Sequence, residues 1–192
     1  MEPNPVDRFK AWLDDAVAAG LPEPTAMSLA TASADGAPSN RMVLLKGVDD
    51  AGFVFFTNFN STKGRDLKDN PRAAIVFHWQ PLGRQVRVTG PVRKVTAAES
   101  DAYFASRPVG SKLSAWASAQ SEPVLQREDL EQKVAELRER WPDGVVPRPP
   151  HWGGYRLRPE VVEFWTHRDD RLHDRIRYRR KRYGWAVDRV AP

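Results

Sequence analysis

The sequence of 192 residues contains no cysteine, so it can form no disulfide and offers no thiolate to a metal ion. It also lacks any run of about 18 consecutive apolar residues, which excludes a membrane-spanning helix. No G-x-S-x-G, P-loop or G-x-G-x-x-G pattern occurs, and none of the four histidines stands in a metal-binding spacing with another ligand. Hydrolase-type nucleophiles are therefore unsupported, and we predict no metal site.

The N-terminal residues lack the basic start and apolar core of a secretory signal, so we expect a cytoplasmic protein. Hydrophobic residues make up 41% and charged residues 29%, which is typical of a globular chain. The length fits one domain over residues 1–192, large enough to bury a substantial core.

The formal net charge is +5, and residues 175–182 form the densest basic cluster. Such a cluster could contact RNA or DNA weakly. Phosphate-bearing small molecules explain scattered arginines equally well, because guanidinium groups pair strongly with phosphate. We therefore expect neither a nucleic-acid partner nor a membrane partner.

Hydrophobic periodicity predicts a domain of several strands and a few short helices. The predicted helices span residues 3–19, 61–67, 96–106, 113–119 and 126–140. The predicted strands span residues 25–32, 41–45, 53–57, 73–79 and 84–95, with further strands after Trp152, around Phe164 and within 184–190. Ser61 is a predicted N-cap, and Thr96 with Glu99 matches a capping box. Together these predict an α+β, mainly antiparallel fold, built on a barrel or sheet.

The stretch Val162–Arg175 begins as a strand, passes through a polar turn and resumes with Arg171, His173 and Arg175 at alternate positions. In an extended strand these three side chains would project to one face. Such a face suits an anionic or planar ligand, since guanidinium groups bind phosphate and stack on rings. Taken alone, the pattern fits a solvated edge strand slightly better.

Other basic and hydroxyl residues fall at the predicted ends of strands and helices, where phosphate-binding donors collect. They are Arg41, Lys46, Thr57, Ser61, Thr62, Lys63, Arg107, Ser111 and Ser121. So many donors would serve more than one phosphate group. Taken singly, each of these residues is better explained as a surface residue or a helix cap than as a phosphate ligand.

The Val162–Arg175 stretch matches the pattern of an apolar residue, E-F-W, five variable residues and R-[LIVM]-H-[DNE]-R. Family-like stretches elsewhere include Arg41–Lys46, Phe55–Asn58, Ala115–Ser118 and Trp152–Gly154, in the same order along the chain. On these residues the chain resembles the pyridoxine (pyridoxamine) 5′-phosphate oxidases, which use FMN to make pyridoxal 5′-phosphate. Thr166 departs from the Gln, His or Gly that is usual there.

The resemblance implies an FMN-binding split β-barrel with short surrounding helices, assembled as a homodimer with FMN at the interface. The N-terminal helix would occupy residues 1–20, and C-terminal strands within 151–192 would carry the flavin and substrate motif. The implied cofactor-binding residues are Arg41, Met42, Val43, Leu44, Leu45, Lys46, Phe56, Thr57, Thr62, Lys63, Gln85, Gln120, Ser121, Trp165 and Arg175. The implied substrate-binding residues are Lys46, Tyr103, Arg107, Ser111, Arg171 and His173, the last two also being catalytic.

The implied reaction oxidises pyridoxamine or pyridoxine 5′-phosphate to pyridoxal 5′-phosphate. Hydride passes from substrate C4′ to flavin N5, and dioxygen then reoxidises the flavin and yields hydrogen peroxide. Arg41 and Lys63 would hold the FMN phosphate. Arg171 would orient the substrate and stabilise charge, and His173 would hydrogen-bond it without being an obligatory base.

Two departures from the family affect these expectations. Thr62 replaces a second basic residue of many relatives, so we expect weaker binding of the FMN phosphate. Many relatives also carry an N-terminal extension whose Arg and Tyr close over the substrate, whereas this chain begins just before its first helix. We therefore expect weaker shielding of the substrate from water.

Two alternative functions remain open from the sequence. A related split-barrel flavoprotein of phenazine biosynthesis shares the C-terminal motif, although such proteins tend to lose the residues that bind the substrate phosphate. Lys46, Tyr103, Arg107 and Ser111 are all present here, which favours the vitamin B6 substrate. The second alternative is a carrier that binds FMN or pyridoxal phosphate without catalysis, because binding and catalytic residues are the same set.

Overall fold

The computed structural model describes residues 4–192, which form five α-helices and ten β-strands. The helices are α1 (Pro5–Ala18), α2 (Thr62–Asp69), α3 (Ala97–Ser106), α4 (Val109–Ala117) and α5 (Arg127–Arg140). The strands are β1 (Ala26–Ala32), β2 (Pro38–Leu44), β3 (Gly47–Asp49), β4 (Gly52–Asn58), β5 (Arg72–Trp79), β6 (Arg84–Lys94), β7 (Trp152–Leu157), β8 (Val161–Thr166), β9 (Asp174–Arg180) and β10 (Trp185–Arg189). Within residues 4–192, no helix is long and apolar enough to cross a membrane.

The strands form one curled antiparallel sheet. Its main path runs β10-β9-β8-β6-β5-β1-β2, while β7 bridges β6 and β4, and β3 pairs with β4. The long strand β6 has two successive neighbours on one side: residues 84–89 pair with β8, and residues 92–94 pair with β7. The sheet therefore splits and curls into a half-barrel with short helices around it, which confirms the predicted fold class.

The main core lies inside the curl of the sheet. Val86, Val88 and Val92 of β6 all face it, as their alternation predicts. Helix α1 closes one side of this core through Phe9, whose ring lies 4.9 Å from that of Phe53 and 4.8 Å from that of Phe77. These edge-on and tilted contacts are the arrangements that aromatic pairs favour.

A second, smaller apolar cluster forms where α3 and α4 meet strand β7. Its buried members are Phe104, Leu113, Val146 and Trp152. The edge of the Phe104 ring packs against Trp152, with centroids 5.1 Å apart. This cluster fixes the two helices relative to β4 and β7, and so positions the polar residues between them.

The predicted helix starts at Ser61 and Thr96 are confirmed. The Ser61 side chain accepts a hydrogen bond from the Gly64 amide at the start of α2. The Thr96 hydroxyl accepts from the Glu99 amide at 3.1 Å, and the Glu99 carboxylate accepts from the Thr96 amide at 2.9 Å. Each bond satisfies an amide that the helix leaves unpaired.

Some predicted boundaries are wrong. Helix α4 begins at Val109 rather than at Leu113 and ends at Ala117, because Pro108 precedes its first turn and its fixed φ suits a helix start. The three-residue strand β3 has no sequence signal of its own. The first residue of the predicted N-terminal helix, Pro3, lies outside the described residues.

The predicted strand through Arg171 and His173 is also wrong. Strand β8 ends at Thr166, residues 169–171 form a 3-10 turn, and β9 begins only at Asp174. Asp170 and Arg171 adopt positive φ angles of 55° and 60°. The alternating pattern of side chains does not predict these angles. Of Arg171, His173 and Arg175, only Arg175 lies in a strand.

Gly90 offers a test of the split in the sheet. A Cβ at this position would stand 2.0 Å from the carbonyl oxygen of Arg158 in the β7–β8 connection. We predict that Gly90→Ala lowers the free energy of unfolding by about 3 kcal/mol, since backbone on both sides must shift. The measurement is urea unfolding followed by circular dichroism.

Gly110→Ala is the matched control, because a Cβ there meets nothing within 4 Å. Gly110 lies in α4, so alanine should leave stability unchanged or raise it by up to about 1 kcal/mol. Equal unfolding free energies for the two variants would contradict a tight crossing at Gly90.

Candidate active site

A cavity of about 620 Å³ lies between strands β2 and β4 and helices α3 and α4. Its volume is in the range of small-molecule and cofactor sites, about 300–1,000 Å³. The predicted site residues that line it are Met42, Val43, Leu44, Lys46, Phe56, Thr57, Lys63, Tyr103, Arg107, Ser111 and Gln120. Leu45 does not line it, because its side chain is buried in the main core.

One cationic part of the cavity is built around Lys63 in the first turn of α2. The Lys63 ammonium lies 3.4 Å from both the Ser61 hydroxyl and the Gln120 side-chain oxygen. The same Gln120 oxygen accepts a hydrogen bond of 3.0 Å from the Thr57 hydroxyl. Burial, and then the nearby Arg41 guanidinium, lower the pKa of Lys63. An anion at this place would relieve both effects.

Three predicted residues, Arg41, Thr62 and Ser121, adjoin this cationic part without lining the cavity. The Thr62 amide donates to the Ser121 hydroxyl at 3.3 Å, which joins the start of α2 to the segment after α4. Ser121 adopts a positive φ of 75°. The contact holds Ser121 and the neighbouring Gln120 against the start of α2, where Lys63 lies.

A second cationic group comes from the junction of α3 and α4. Arg107 lies over the Trp152 ring, with 4.6 Å between the guanidinium carbon and the ring centroid. Burial lowers the pKa of Arg107. Its Nη1 is buried and has no hydrogen-bond partner within residues 4–192, which is unusual for a cationic donor. A ligand with acceptor oxygens would satisfy it.

An aromatic wall of Tyr103, Phe56 and Trp152 stands beside Arg107. The Phe56 ring stacks on Tyr103 at 4.0 Å and on Trp152 at 5.5 Å between centroids. Gly154 makes room for it, since a Cβ there would lie 2.8 Å from the Phe56 ring. The cavity therefore combines flat apolar surface with cationic donors, which suits planar, phosphorylated ligands.

The remaining predicted residues lie in a different part of the sheet. Gln85, Trp165 and Arg175 are directly opposite one another on β6, β8 and β9. Beside Trp165, the turn of residues 167–173 forms an open pocket of about 590 Å³, whose lining includes Arg171 and His173. None of these five residues lines the first cavity.

His173 is held by two contacts within this second group. Its ring lies 4.6 Å from that of Trp165, and its Nδ1 accepts a hydrogen bond of 3.2 Å from the Arg168 amide. Nε2 is therefore the ring nitrogen that would carry a proton in the neutral form. Arg171 follows the left-handed residue Asp170 and is exposed.

Known protein families account for both parts of the chain. Residues 13–141 match the family described as pyridoxamine 5′-phosphate oxidase. Residues 152–192 match the family described as the pyridoxine 5′-phosphate oxidase C-terminal dimerisation region. The chain belongs to the pyridoxamine 5′-phosphate oxidase family. The predicted family, its oxidase class and FMN as its cofactor are thereby confirmed, and the dimerisation region indicates a homodimer.

Individual relatives agree with this assignment. The chain is 58% identical over 190 residues to a pyridoxine/pyridoxamine 5′-phosphate oxidase of Bordetella pertussis, covering 98% of this chain and 90% of the relative. It is 59% identical over 191 residues to the enzyme of that name from Cupriavidus taiwanensis, covering 99% and 90%.

Solved structures give the same fold. PhzG from Burkholderia lata, in complex with tetrahydrophenazine-1-carboxylic acid, superposes with a TM-score of 0.93 at 37% identity, covering 98% of this chain and 93% of that one. A pyridoxamine 5′-phosphate oxidase-related, FMN-binding protein of Nostoc punctiforme superposes with a TM-score of 0.77 at 18% identity, covering 96% and 97%. At that identity the second likeness concerns the fold alone.

The residues present fit a phosphorylated flavin. A buried lysine, a neighbouring arginine and the first turn of α2 provide cationic and amide donors at one place. The buried Nη1 of Arg107, without a hydrogen-bond partner within residues 4–192, provides a second place suited to an anionic group. Within residues 4–192 no cluster of three His, Asp or Glu side chains is suited to a metal ion.

Sequence reasoning missed three residues that support the site. Thr31 and Asp66 are buried behind Arg41, and Glu163 is buried behind Arg175. Thr31 is the one polar residue in the buried row Met27, Leu29, Thr31. Asp66 follows Lys63 by three residues on α2, a spacing that places both on one side of a helix. These patterns were the available signals.

Glu163 provides the next test. Arg175 donates to its carboxylate in three hydrogen bonds of 3.0–3.1 Å, and Glu163 is only 8% exposed. We predict that Glu163→Gln lowers the unfolding free energy by about 2 kcal/mol, because the partly buried Arg175 loses its counter-charge. Chemical denaturation measures this.

The control is Glu122→Gln, which removes an acid that pairs with Arg65 at 2.7 Å where both side chains are 52% exposed. Its cost should stay below about 1 kcal/mol, as for other exposed ion pairs. If the two variants lose the same stability, the burial of Glu163 has no energetic consequence.

Proposed function

We propose that this protein oxidises pyridoxamine 5′-phosphate and pyridoxine 5′-phosphate to pyridoxal 5′-phosphate with FMN as cofactor. The observation that carries the proposal is the cavity itself, which joins two cationic groups on different elements to one aromatic wall. Lys63 belongs to α2, whereas Arg107 follows α3. A reaction between a phosphorylated flavin and a phosphorylated substrate needs two such groups.

Lys63 and Arg41 hold the FMN phosphate in this proposal. Burial lowers the pKa of both side chains, because it removes water that would stabilise their charges. A bound phosphate dianion would stabilise these charges instead. Thr57 and Gln120 extend this polar group along the cavity, and Ser121 adjoins it at the start of α2. Thr62 adds no charge here, and its amide holds Ser121 against the start of α2.

Arg107, Lys46, Tyr103 and Ser111 bind the substrate phosphate. The buried, unpaired Nη1 of Arg107 is the strongest support, because a charged donor without an acceptor is costly. Phosphate bound at a distance from the reacting carbon fixes the substrate's orientation, so that its binding energy raises the rate of the chemical step.

FMN would supply a hydride acceptor at N5, and dioxygen would take up the two electrons and two protons as hydrogen peroxide. Oxidation of the alcohol gives the aldehyde directly, whereas oxidation of the amine gives an imine that water hydrolyses to the aldehyde and ammonia. The protein's part is to position the substrate ring and to exclude water. Arg171 orients that ring and stabilises developing charge. His173, whose Nδ1 is occupied by the Arg168 amide, presents Nε2 to the substrate.

A second copy of the chain completes each site. Arg171, His173, Trp165 and Arg175 line or adjoin a pocket that shares no residue with the first cavity. They all belong to the part of the chain that matches the family's dimerisation region. We therefore propose that FMN binds at the dimer interface, between the cavity of one chain and these four residues of its partner.

Anaerobic reduction tests the activity. Protein reconstituted with FMN receives pyridoxine 5′-phosphate or pyridoxamine 5′-phosphate, and flavin absorbance is followed at about 450 nm. We expect the absorbance to fall, to recover when air is admitted, and to be accompanied by pyridoxal phosphate and peroxide. Arg171→Ala should slow the fall by about 100-fold, since a charge-stabilising contact is lost.

FMN that binds but is reduced by neither B6 phosphate would overturn the oxidase proposal. It would favour a carrier of FMN or pyridoxal phosphate, or the phenazine-type function. The 37% identity to PhzG, solved with tetrahydrophenazine-1-carboxylic acid, supports the latter as second candidate. A reduced phenazine carboxylate in the same assay distinguishes these two outcomes.

Mixed dimers test the shared site. Arg107→Ala removes a cavity residue and Arg171→Ala a turn residue, and each homodimer should be nearly inactive. Reassembling the two variants together should restore about one quarter of wild-type activity, because half of the dimers are mixed and each has one intact site. Activity that stays at the level of the separate variants would contradict a site built from two chains.

A further inference from the structure

A buried polar network lies behind the proposed FMN phosphate site. It consists of Thr31 on β1, Arg41 on β2 and Asp66 on α2. Thr31 is 4% and Asp66 8% exposed, and neither lines the cavity. We infer that Thr31 and Asp66 are positioning residues, which hold Arg41 in the orientation that binds phosphate and so give the site its selectivity for a phosphorylated flavin. This inference rests on the proposed function.

The Thr31 hydroxyl joins the other two side chains. It donates to the Asp66 carboxylate at 2.6 Å and accepts from Arg41 Nη1 at 2.6 Å. A hydroxyl has one proton, so donation to Asp66 turns its lone pairs toward Arg41. The carboxylate thus sets the direction of the hydroxyl, and the hydroxyl sets the position of the guanidinium.

Asp66 acts on Arg41 through this hydroxyl rather than by direct contact. The shortest distance between the Asp66 carboxylate and the Arg41 guanidinium is 3.9 Å, beyond a hydrogen bond. Arg41 also donates to the Leu29 carbonyl at 3.3 Å and to the Ser39 hydroxyl. A guanidinium carries five N–H groups, so these bonds fix it while donors remain for a ligand.

The charge balance explains why an acid stands at position 66. Arg41 and Lys63 are buried close together, and two cations in one place repel each other. One carboxylate at a distance offsets this repulsion while leaving a net positive site for a phosphate dianion. A direct, bidentate pair would occupy the donors that the phosphate needs.

A positioning role and a purely electrostatic role of Asp66 predict opposite changes in FMN affinity for the substitution Asp66→Asn. If Asp66 only reduces the positive potential, Asp66→Asn makes the site more cationic and tightens FMN binding. If Asp66 orients Thr31 and Arg41, the same variant weakens FMN binding despite the extra positive charge. Thr31→Val removes the hydroxyl without any change of charge, and Thr31→Ser restores it.

The experiment measures dissociation constants for FMN and for riboflavin, which lacks the phosphate, by quenching of flavin fluorescence in the apoprotein. We expect Thr31→Val and Asp66→Asn each to weaken FMN binding about tenfold or more. Riboflavin binding should change by less than about twofold, and Thr31→Ser should behave as wild type. The ratio of the FMN and riboflavin dissociation constants measures selectivity for the phosphate. A general loss of stability would weaken the binding of both flavins and leave this ratio unchanged.

Asp69→Asn is the matched control, because it makes the same charge change on the exposed side of the same helix. It should leave FMN binding unchanged or slightly tighter. Thr31→Ala provides a second neutral variant should Thr31→Val misfold, which circular dichroism detects.

Each remaining outcome is decisive. Tighter or unchanged FMN binding in Asp66→Asn, or equal weakening for FMN and riboflavin in Thr31→Val, overturns the inference but leaves the proposed function intact. A wild-type protein that fails to prefer FMN over riboflavin overturns the assigned phosphate site, and with it both proposals.

Discussion

The crossing at Gly90 is the constraint on which the shape of the sheet depends. At this point β6 changes neighbours from β8 to β7, and the connection between those two strands passes directly over it. The Arg158 amide donates to the Pro91 carbonyl and the Glu160 amide to the Thr89 carbonyl, both at 2.9 Å. A backbone can approach so closely only where no side chain intervenes. The sheet therefore divides into two branches at one residue.

The two branches carry the two groups of site residues. Strand β7 continues into the branch with β4, where Trp152 and Phe56 form the wall of the cavity. Strand β8 continues into the branch with β9, where Trp165 and Arg175 stand opposite each other. Because the branches diverge from β6, their functional side chains lie in separate pockets of one chain. The proposed site, shared between two chains, would bring the two groups of side chains together.

Much of the fold was predictable because local signals determine it. The Thr96–Glu99 capping box and the alternation of Val86 and Val88 depend on neighbours in sequence, and both are confirmed. The site was predictable mainly through resemblance. Spacing alone gave the wrong conformation at Arg171, because a turn with two positive φ angles has no alternation to detect. Thr31 and Asp66 are 35 residues apart and meet only through folding. Local patterns mark each as a polar residue on a buried face, but their contact has no signal without the tertiary structure.

The arginines differ in how far each is neutralised, and these differences agree with the proposed roles. Arg175 has a bidentate partner in buried Glu163, so its charge is largely used within the protein. Arg41 has a carboxylate at 3.9 Å with a hydroxyl between them, which leaves it oriented but available. Arg107 has no acid partner within residues 4–192 and rests on the Trp152 ring. Within the basic cluster near the C-terminus, Arg177 and Arg179 share the partly exposed Asp188 carboxylate. Arg107, and Lys63 beside Arg41, are therefore the partly or fully buried cations that keep charge available for a ligand. These are the places that the proposed reaction requires for its two phosphates.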